Sequence, residues 1–564
     1  MPQPRPIPYH FATLIVDIER GRVKIPQFQR DFVWPLEKCA SLLDSIVKEY
    51  PIGSFIFWKT KERLRSVRNI GGITLPDTEE GDYVSYILDG QQRITSIYAS
   101  LKGIEDVKKS DGRSEDFSKI FVNLSAKEDE KIVTAETDNL DREALIRVTD
   151  LLNGSIELIN SQVPKQYHSK LSKYKDSINT YICNAIQVED IPIDIATEIF
   201  TRVNLGGETL TLFEIMVAKT FDPVKKFDLA ERYHDLMEEL KAIGYETISA
   251  SSILQTISLI ISKSKECKRS TILNLDKASF IDAWDGVIDA LREAVDYLRT
   301  LYGIPVSKLL PYNAILVPFT YFFYKKGNKP DASQKDRLMD FFWRISLSGR
   351  YSSSVESKLS QDIKRIDKIL KGEDASYDWP INISANFIKE NGWFSAGRSY
   401  VKAILCLYAS KIPRSFADGS KVIIDNAWLK QANSKNYHHF FPKAYLTRKG
   451  YNNELYINNV VNITIVDDFL NKRRIRDTSP SKYMKEYQRE NKRLSETMKS
   501  HLIGDLNEFG IWDNDFEKFM DKRASLISNE LKVLVIEREI DKMPQSELKS
   551  DETDYNDDEG ELPY

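Results

Sequence analysis

Apolar residues recur along this chain at two different periods, and the switches between them mark its elements. After Pro35, the residues Leu36, Cys39, Ala40, Leu43, Ile46, Val47 and Tyr50 fall three or four apart. That spacing predicts a helix with one buried face, and Pro35 suits its first position. Pro51 to Trp58 predicts a turn into a short apolar strand and Tyr83 to Leu88 another strand, with residues 59–82 between them as loop. The second strand leads directly into Asp89-Gly-Gln-Gln-Arg93, and Ile94, Ile97, Tyr98 and Leu101 then resume helical spacing. This is a strand, a turn and a helix in succession. Ile193 to Val203 predicts another helix, and Thr211 with Glu214 a capping box for the next. From about Phe221 to Ala403 the pattern is helical, as in Phe280 to Tyr302 and Lys335 to Ile345. From Tyr437 it changes to a histidine pair, a short strand over Asn462 to Val466, a basic helix and a helix opening at Ser479-Pro480.

The expected fold class is therefore α+β and mostly helical. Four regions are expected: residues 1–220, a helical middle at 221–403, a C-terminal domain at 404–540, and an acidic, disordered tail at 541–564. With 564 residues there is enough chain for several buried cores. A composition of 41% hydrophobic and 29% charged residues excludes a mainly disordered, collagen-like or coiled-coil chain. The formal net charge of −4 hides an asymmetry. Seven acids and no base lie between Asp551 and the end, so the remainder is slightly basic, and Lys435 to Lys499 holds fourteen bases against seven acids. An anion-binding region is expected there. The four cysteines, Cys39, Cys183, Cys267 and Cys406, have no paired spacing, and the apolar run Ala314 to Tyr324 is too short to span a bilayer. These features predict a soluble cytoplasmic protein with no membrane partner.

Two of the six histidines are adjacent, in His438-His439-Phe-Phe-Pro442, and Asn462 and Asn471-Lys-Arg-Arg474 follow. A histidine at a strand end, a second strand and a polar residue one turn into a helix can gather three polar side chains around one divalent cation. A neutral imidazole would take the proton from an attacking water, and a cation would stabilise charge on the leaving oxygen. Lys472, Arg473 and Arg474 would grip the DNA backbone without reading sequence. Taken singly, each feature also has a bland reading, as strand-end histidines and a solvated helix face. In order, they resemble the HNH, or His-Me finger, endonucleases. That resemblance implies a ββα-metal finger, with His439 as general base, His438 and Asn471 as ligands of Mg2+ or Mn2+, and Asn462 holding the loop that orients His439. Many members of that superfamily carry Asp where this chain has His438, and the paired Cys-x-x-Cys zinc elements are absent here.

Asp89, Gly90, Gln91, Gln92 and Arg93 place a flexible residue and polar groups at a helix start, where backbone N–H groups can receive phosphate. Arg93 can bind phosphate in bidentate fashion and Asp89 a magnesium ion or a ribose hydroxyl, although a cap with a surface ion pair uses the same residues. Together with Ile25 to Trp34 and Phe200 to Gly207, this turn resembles the ParB/sulfiredoxin-like N-terminal domain of GmrSD-type modification-dependent restriction enzymes, also found in SspE-like defence nucleases. The likeness spans about Ile7 to Phe221, and the usual C-terminal partner in that family is an HNH domain. It implies nucleotide binding and hydrolysis at Asp89 to Arg93, with Gln29, Arg30, Arg202 and Asn204 lining the same pocket.

The function expected from these readings is metal-dependent DNA endonuclease activity in anti-phage restriction, directed at modified foreign DNA and regulated by a nucleoside triphosphate of unspecified base. Double-strand cleavage would call for two fingers, hence a homodimer. Two alternatives stay open: a non-cleaving DNA-binding or nucleotide-sensing regulator, and an RNA-directed HNH nuclease toxin, since a finger contacting phosphate does not read a 2′-hydroxyl.

Overall fold

In the computed structural model, the residues described are 3–26, 32–64, 66–67, 69–70, 73–79, 81–109, 113–138, 140–155, 159, 163–203, 211–395, 397–426, 437–466, 475 and 477–542. The architecture is mixed α/β and mostly helical. The chain divides into two compact units, Met1–Arg232 with Leu273–Ile281, and Tyr233–Ile272 with Asp282–Tyr564.

The first unit is built on a six-stranded sheet. Its strands are β1 (Arg5–His10), β2 (Val23–Pro26), β3 (Phe55–Thr60), β4 (Ser66–Val67), β5 (Val84–Asp89) and β6 (Ile182–Glu189), in the order β1-β6-β3-β5-β2-β4. The β6/β3 and β2/β5 pairs are parallel and the others antiparallel. Alternation along β3 sends Phe55 and Phe57 to one face and Trp58 to the other. Phe55 and Phe57 join Ala185 and Ile87 in the core under helices α1 (Phe11–Glu19), α2 (Leu36–Val47), α3 (Gln91–Lys102) and α4 (His168–Thr180). Trp58 is buried on the opposite face, where its Nε1 donates to the Ile191 carbonyl at 3.1 Å. Pro6 and Pro8 lie on the edge strand β1, where a missing N–H is tolerated and further pairing is discouraged.

Helices α5 (Ile193–Val203) and α6 (Leu212–Thr220) close the unit's main segment. Thr211 caps α6 as its spacing to Glu214 predicts: the Glu214 N–H donates to Thr211 Oγ1 at 3.2 Å, and the Thr211 N–H to Glu214 Oε2 at 2.8 Å. The turn predicted from Pro51 has Gly53 at φ +83° and leads into the strand at Phe55. Two sequence expectations are corrected here. The stretch 59–82 is not all loop, since β4 pairs with β2 and Asn69–Ile70 pairs with Ile73–Thr74. Pro35 is the N-cap of α2 rather than its first residue.

The second unit is chiefly helical, with α7 (Ala250–Ile261), α8 (Leu316–Lys326), α9 (Ala332–Leu347), α10 (Val355–Leu370) and α11 (Ser399–Ser410) preceding a small two-stranded element. Pro318 sits in the first turn of α8, where no intrahelical donor is lost. Strand β7 (Tyr437–His439) pairs antiparallel with β8 (Ile463–Ile465), and α12 (Pro480–Glu490) and α13 (Phe516–Leu534) follow. Beyond α13 the chain is pinned to α9 by charge. Arg344 and Asp340, both fully buried on α9, pair at 2.9 Å; Arg344 also reaches Asp541 at 2.6 Å and the Ile536 carbonyl at 2.6 Å, and Arg538 reaches Asp340 at 2.8 Å. Each buried charge thus meets opposite charge and further hydrogen bonds, as burial requires. The acidic end of the chain lies outside the described residues from 543 onward.

Candidate functional site

Pairing of β7 with β8 sets Tyr437 opposite Ile465, His438 opposite Thr464 and His439 opposite Ile463. Adjacent strand residues point to opposite faces, so the two histidines do not share surroundings. His438 is 1% exposed, its ring edge-on to Phe416 and Tyr483 and its Nδ1 3.5 Å from Thr464 Oγ1. Burial pushes its pKa down to about 3, with the charges of His439, His501 and Arg523 acting in the same direction. That aromatic surrounding does not fit a divalent cation, and among the described residues no group of three His, Cys, Asp or Glu side chains is placed to hold one. Asn471, Lys472, Arg473 and Arg474 lie outside the described residues.

His439 is only partly buried, and its Nε2 lies 2.8 Å from Asn458 Oδ1. Burial lowers its pKa to about 4; the Asn458 hydrogen bond raises it and the Lys443 charge lowers it further. The ring is neutral at neutral pH, the state a general base needs. The turn that leaves His439 is held by Asn462, which is fully buried. Its Oδ1 accepts from the Phe441 N–H at 2.8 Å, its Nδ2 donates to the carbonyls of Phe441 at 3.0 Å and Ile457 at 3.1 Å, and its own carbonyl accepts from the Phe440 N–H at 2.8 Å.

Arg523, on α13, braces both sides of Asn462. Its Nη1 donates to the carbonyls of Val461 at 2.6 Å and Ile463 at 2.7 Å, its Nε and Nη2 to that of His501 at 3.2 and 2.9 Å, and its guanidinium lies 4.7 Å from the Tyr408 ring centroid. Asn458, Arg523 and the segment at Phe394 were not singled out from the sequence. The signal available was the density of asparagine, five of them between residues 452 and 462.

In the first unit, Asp89, Gly90, Gln91, Gln92 and Arg93 are brought into one turn between β5 and α3. Gly90 has φ +102°, and a Cβ there would stand 2.3 Å from the Phe55 ring, so both backbone and space demand glycine. Arg93 turns back over this ring: Nη1 donates to the Ile52 carbonyl at 2.8 Å, and Nη2 to the Ser54 carbonyl at 3.0 Å and to Asp89 Oδ2 at 2.9 Å. Gln91 and Gln92 are buried, and Gln92 Oε1 accepts from the Val33 N–H at 2.9 Å. Arg202 is exposed on α5 and pairs with Glu198 at 2.6 Å. Gln29, Arg30 and Asn204 lie outside the described residues.

Arg93→Ala is expected to free the 52–54 turn and lower the melting temperature. Loss of charge-assisted bonds worth about 2 kcal/mol corresponds to a shift on the order of 5 °C for a unit of this size. Differential scanning fluorimetry checks it; an unchanged melting temperature would remove this clamp role. A separate cleft of about 450 Å³, lined by residues including Tyr9, Arg22, Lys59, Tyr83 and Gln187, opens at the Ser85 end of β5, away from Asp89.

The turn at Asp89, strands β2 to β6 and helix α5 all fall within one stretch of similarity. Residues 11–221 match the N-terminal domain of the GmrSD restriction endonucleases. The GmrSD-like part covers most of the first unit, from α1 through α6. The chain is also 24% identical to the uncharacterized protein MJ0686 of Methanocaldococcus jannaschii over 598 residues, an alignment that covers 93% of this chain and 98% of that protein. The second similarity therefore reaches beyond the GmrSD-like part into the unit that carries His439. No helix among the described residues is long and apolar enough to cross a membrane.

Proposed function

We propose that the chain is a DNA endonuclease of restriction, acting on modified foreign DNA in anti-phage defence, with the second unit cutting and the GmrSD-like unit sensing. The observation that carries this reading is the neutral His439 at the end of β7, beside a turn held at both polar ends by Asn462. In the proposed step His439 accepts a proton from water as the water oxygen bonds to phosphorus and one P–O ester bond breaks; the departing sugar oxygen leaves as an alkoxide that takes a proton from solvent, and the imidazolium returns its own proton to solvent. Asn462 keeps the turn from moving away, and Lys472, Arg473 and Arg474 bind backbone phosphates. The match at 11–221 supports DNA as the polymer.

Mg2+ or Mn2+ belongs to this proposal as a requirement drawn from the motif order. His438 faces aromatic rings, so no step is assigned to the cation. In the first unit, Asp89 to Arg93 form the proposed nucleotide site and hydrolysis there the proposed regulation, with Gln29, Arg30, Arg202 and Asn204 as further members. Two copies would act together for a double-strand break.

The test is cleavage of unmodified plasmid and of phage-modified DNA, each with and without Mg2+, a chelator and nucleoside triphosphate. The expected result is nicking that the chelator abolishes and that modification or nucleotide alters. Cleavage of RNA alone would establish the toxin alternative; DNA binding without cleavage of either polymer would establish the regulator.

A further inference from the structure

The surroundings of His439 dictate which of its two nitrogens can act. Asn458 lies between the imidazole and the chain at Phe394: its Oδ1 is 2.8 Å from His439 Nε2, and its Nδ2 donates to the Phe394 carbonyl at 3.1 Å. The backbone of Asn458 is tied to the same residue, the Phe394 N–H donating to the Asn458 carbonyl at 2.7 Å. The next residue continues the contact, Asn459 forming an antiparallel bridge with Trp393. Phe394 is itself anchored, its ring packing edge-on against Tyr437 of β7 at 5.0 Å.

An amide can be turned over only if both its ends find complementary partners, and here one end faces a carbonyl. The Phe394 oxygen can only accept, so the end of Asn458 that meets it must be the NH2 group. The end that meets His439 is then the oxygen, which also can only accept. A neutral imidazole carries one proton, and the contact at 2.8 Å requires it on Nε2. Nδ1 is left with its lone pair.

We infer that Asn458 is a positioning residue that holds His439 in the Nε2–H tautomer and so makes Nδ1 the basic atom of the site. This inference deepens the nuclease reading and rests on it for its catalytic meaning; the tautomer itself does not. Asn458 lies outside the order His438, His439, Asn462, Asn471 from which the site was read. It divides the labour with Asn462: Asn462 fixes the backbone that leaves the histidine, Asn458 the ring and its proton. Without Asn458 the ring can rotate and carry its proton on either nitrogen, and only part of the population presents a lone pair to water.

Two measurements on the full chain test it. Long-range proton–nitrogen spectra of protein labelled with 15N-histidine, with the His439 signals identified by their absence in His439→Gln, report the tautomer directly at neutral pH. Wild type is expected to show Nδ1 unprotonated and Nε2 protonated, and Asn458→Leu to lose this. In cleavage assays with Mg2+, Asn458→Leu is expected to reduce kcat at least about tenfold, the scale on which losing an orienting partner of a histidine acts. KM for DNA should stay within about twofold, since uniform binding is untouched. Asn458→Asp keeps an acceptor for Nε2–H but sets a second carboxylate oxygen against the Phe394 carbonyl, so it should recover only part of kcat.

A protonated Nδ1 in wild type, or an Asn458→Leu enzyme with wild-type kcat, overturns the inference. If Asn458→Leu does not fold, the wild-type spectrum still decides, because it reports the tautomer without any substitution at 458. Failure of the nuclease reading looks different: His439→Gln then cleaves as fast as wild type, whatever the spectrum shows.

Discussion

His439→Ala is expected to cut the rate of DNA cleavage by about 10²- to 10⁴-fold, the contribution of a positioned general base, while DNA binding and the melting temperature stay close to wild type. The expectation of a selective loss comes from where the ring sits. His439 is partly exposed, and its single hydrogen bond among the described residues goes to Asn458, so its removal opens no large cavity. His438→Ala provides the contrast, because that ring fills space between Phe416 and Tyr483 at 1% exposure. Its loss is expected to cost stability of about 2 kcal/mol or more through the cavity left behind. Nicking of supercoiled plasmid, run beside thermal melts of both variants, separates the two. Full cleavage by His439→Ala would remove the histidine from the chemistry and with it the nuclease reading of the second unit.

The contrast between these neighbours shows where sequence stops being informative. A His-His pair before Phe-Phe-Pro is visible in the chain, but which member reaches the outside depends on the face that β7 turns to the core. That face is decided by its pairing with β8 and by Phe416, Tyr483 and His501, which are more than twenty residues away in either direction. The capping box at Thr211 and the helices over 280–302 and 335–345 were legible because each is a local pattern, and the structure has them as Leu212–Thr220, Lys277–Thr300 and Ala332–Leu347.

Strand β6 was not legible, although its register against both β1 and β3 makes it central to the sheet. Its alternation, with Cys183 and Ala185 buried between exposed Ile182 and Asn184, puts small or polar residues where a strand pattern expects large apolar ones. Asn458 and Asn459 were present in the sequence yet silent, since each acts on a ring or backbone group supplied from elsewhere. Asn459, for example, donates to the Lys389 carbonyl at 2.6 Å.

Arg523→Ala is expected to have the largest effect on stability, because this cation is fully buried and met by backbone carbonyls. Among the described residues its four hydrogen bonds all go to carbonyls: Val461, Ile463 and two to His501. Burial lowers its pKa, which marks the cost of keeping the charge there. Truncation leaves three buried carbonyls without their donor and a space beneath Tyr408 and Phe519. Orphaned buried groups cost about 1 to 3 kcal/mol each and the cavity adds to them, so a total on the order of 4 kcal/mol or more is expected. The loss should be local in its first effects, appearing as faster amide exchange in residues 461–465 and 501–503, whose carbonyls or neighbours Arg523 holds. Arg523→Lys should rescue only in part, since one ammonium cannot span three carbonyls on two segments. Because Asn462 sits between two of the braced residues, cleavage should fall together with the exchange protection. If protection of 461–465 survives in Arg523→Ala, the brace is not what holds the turn beside His439, and Asn462 alone carries that task.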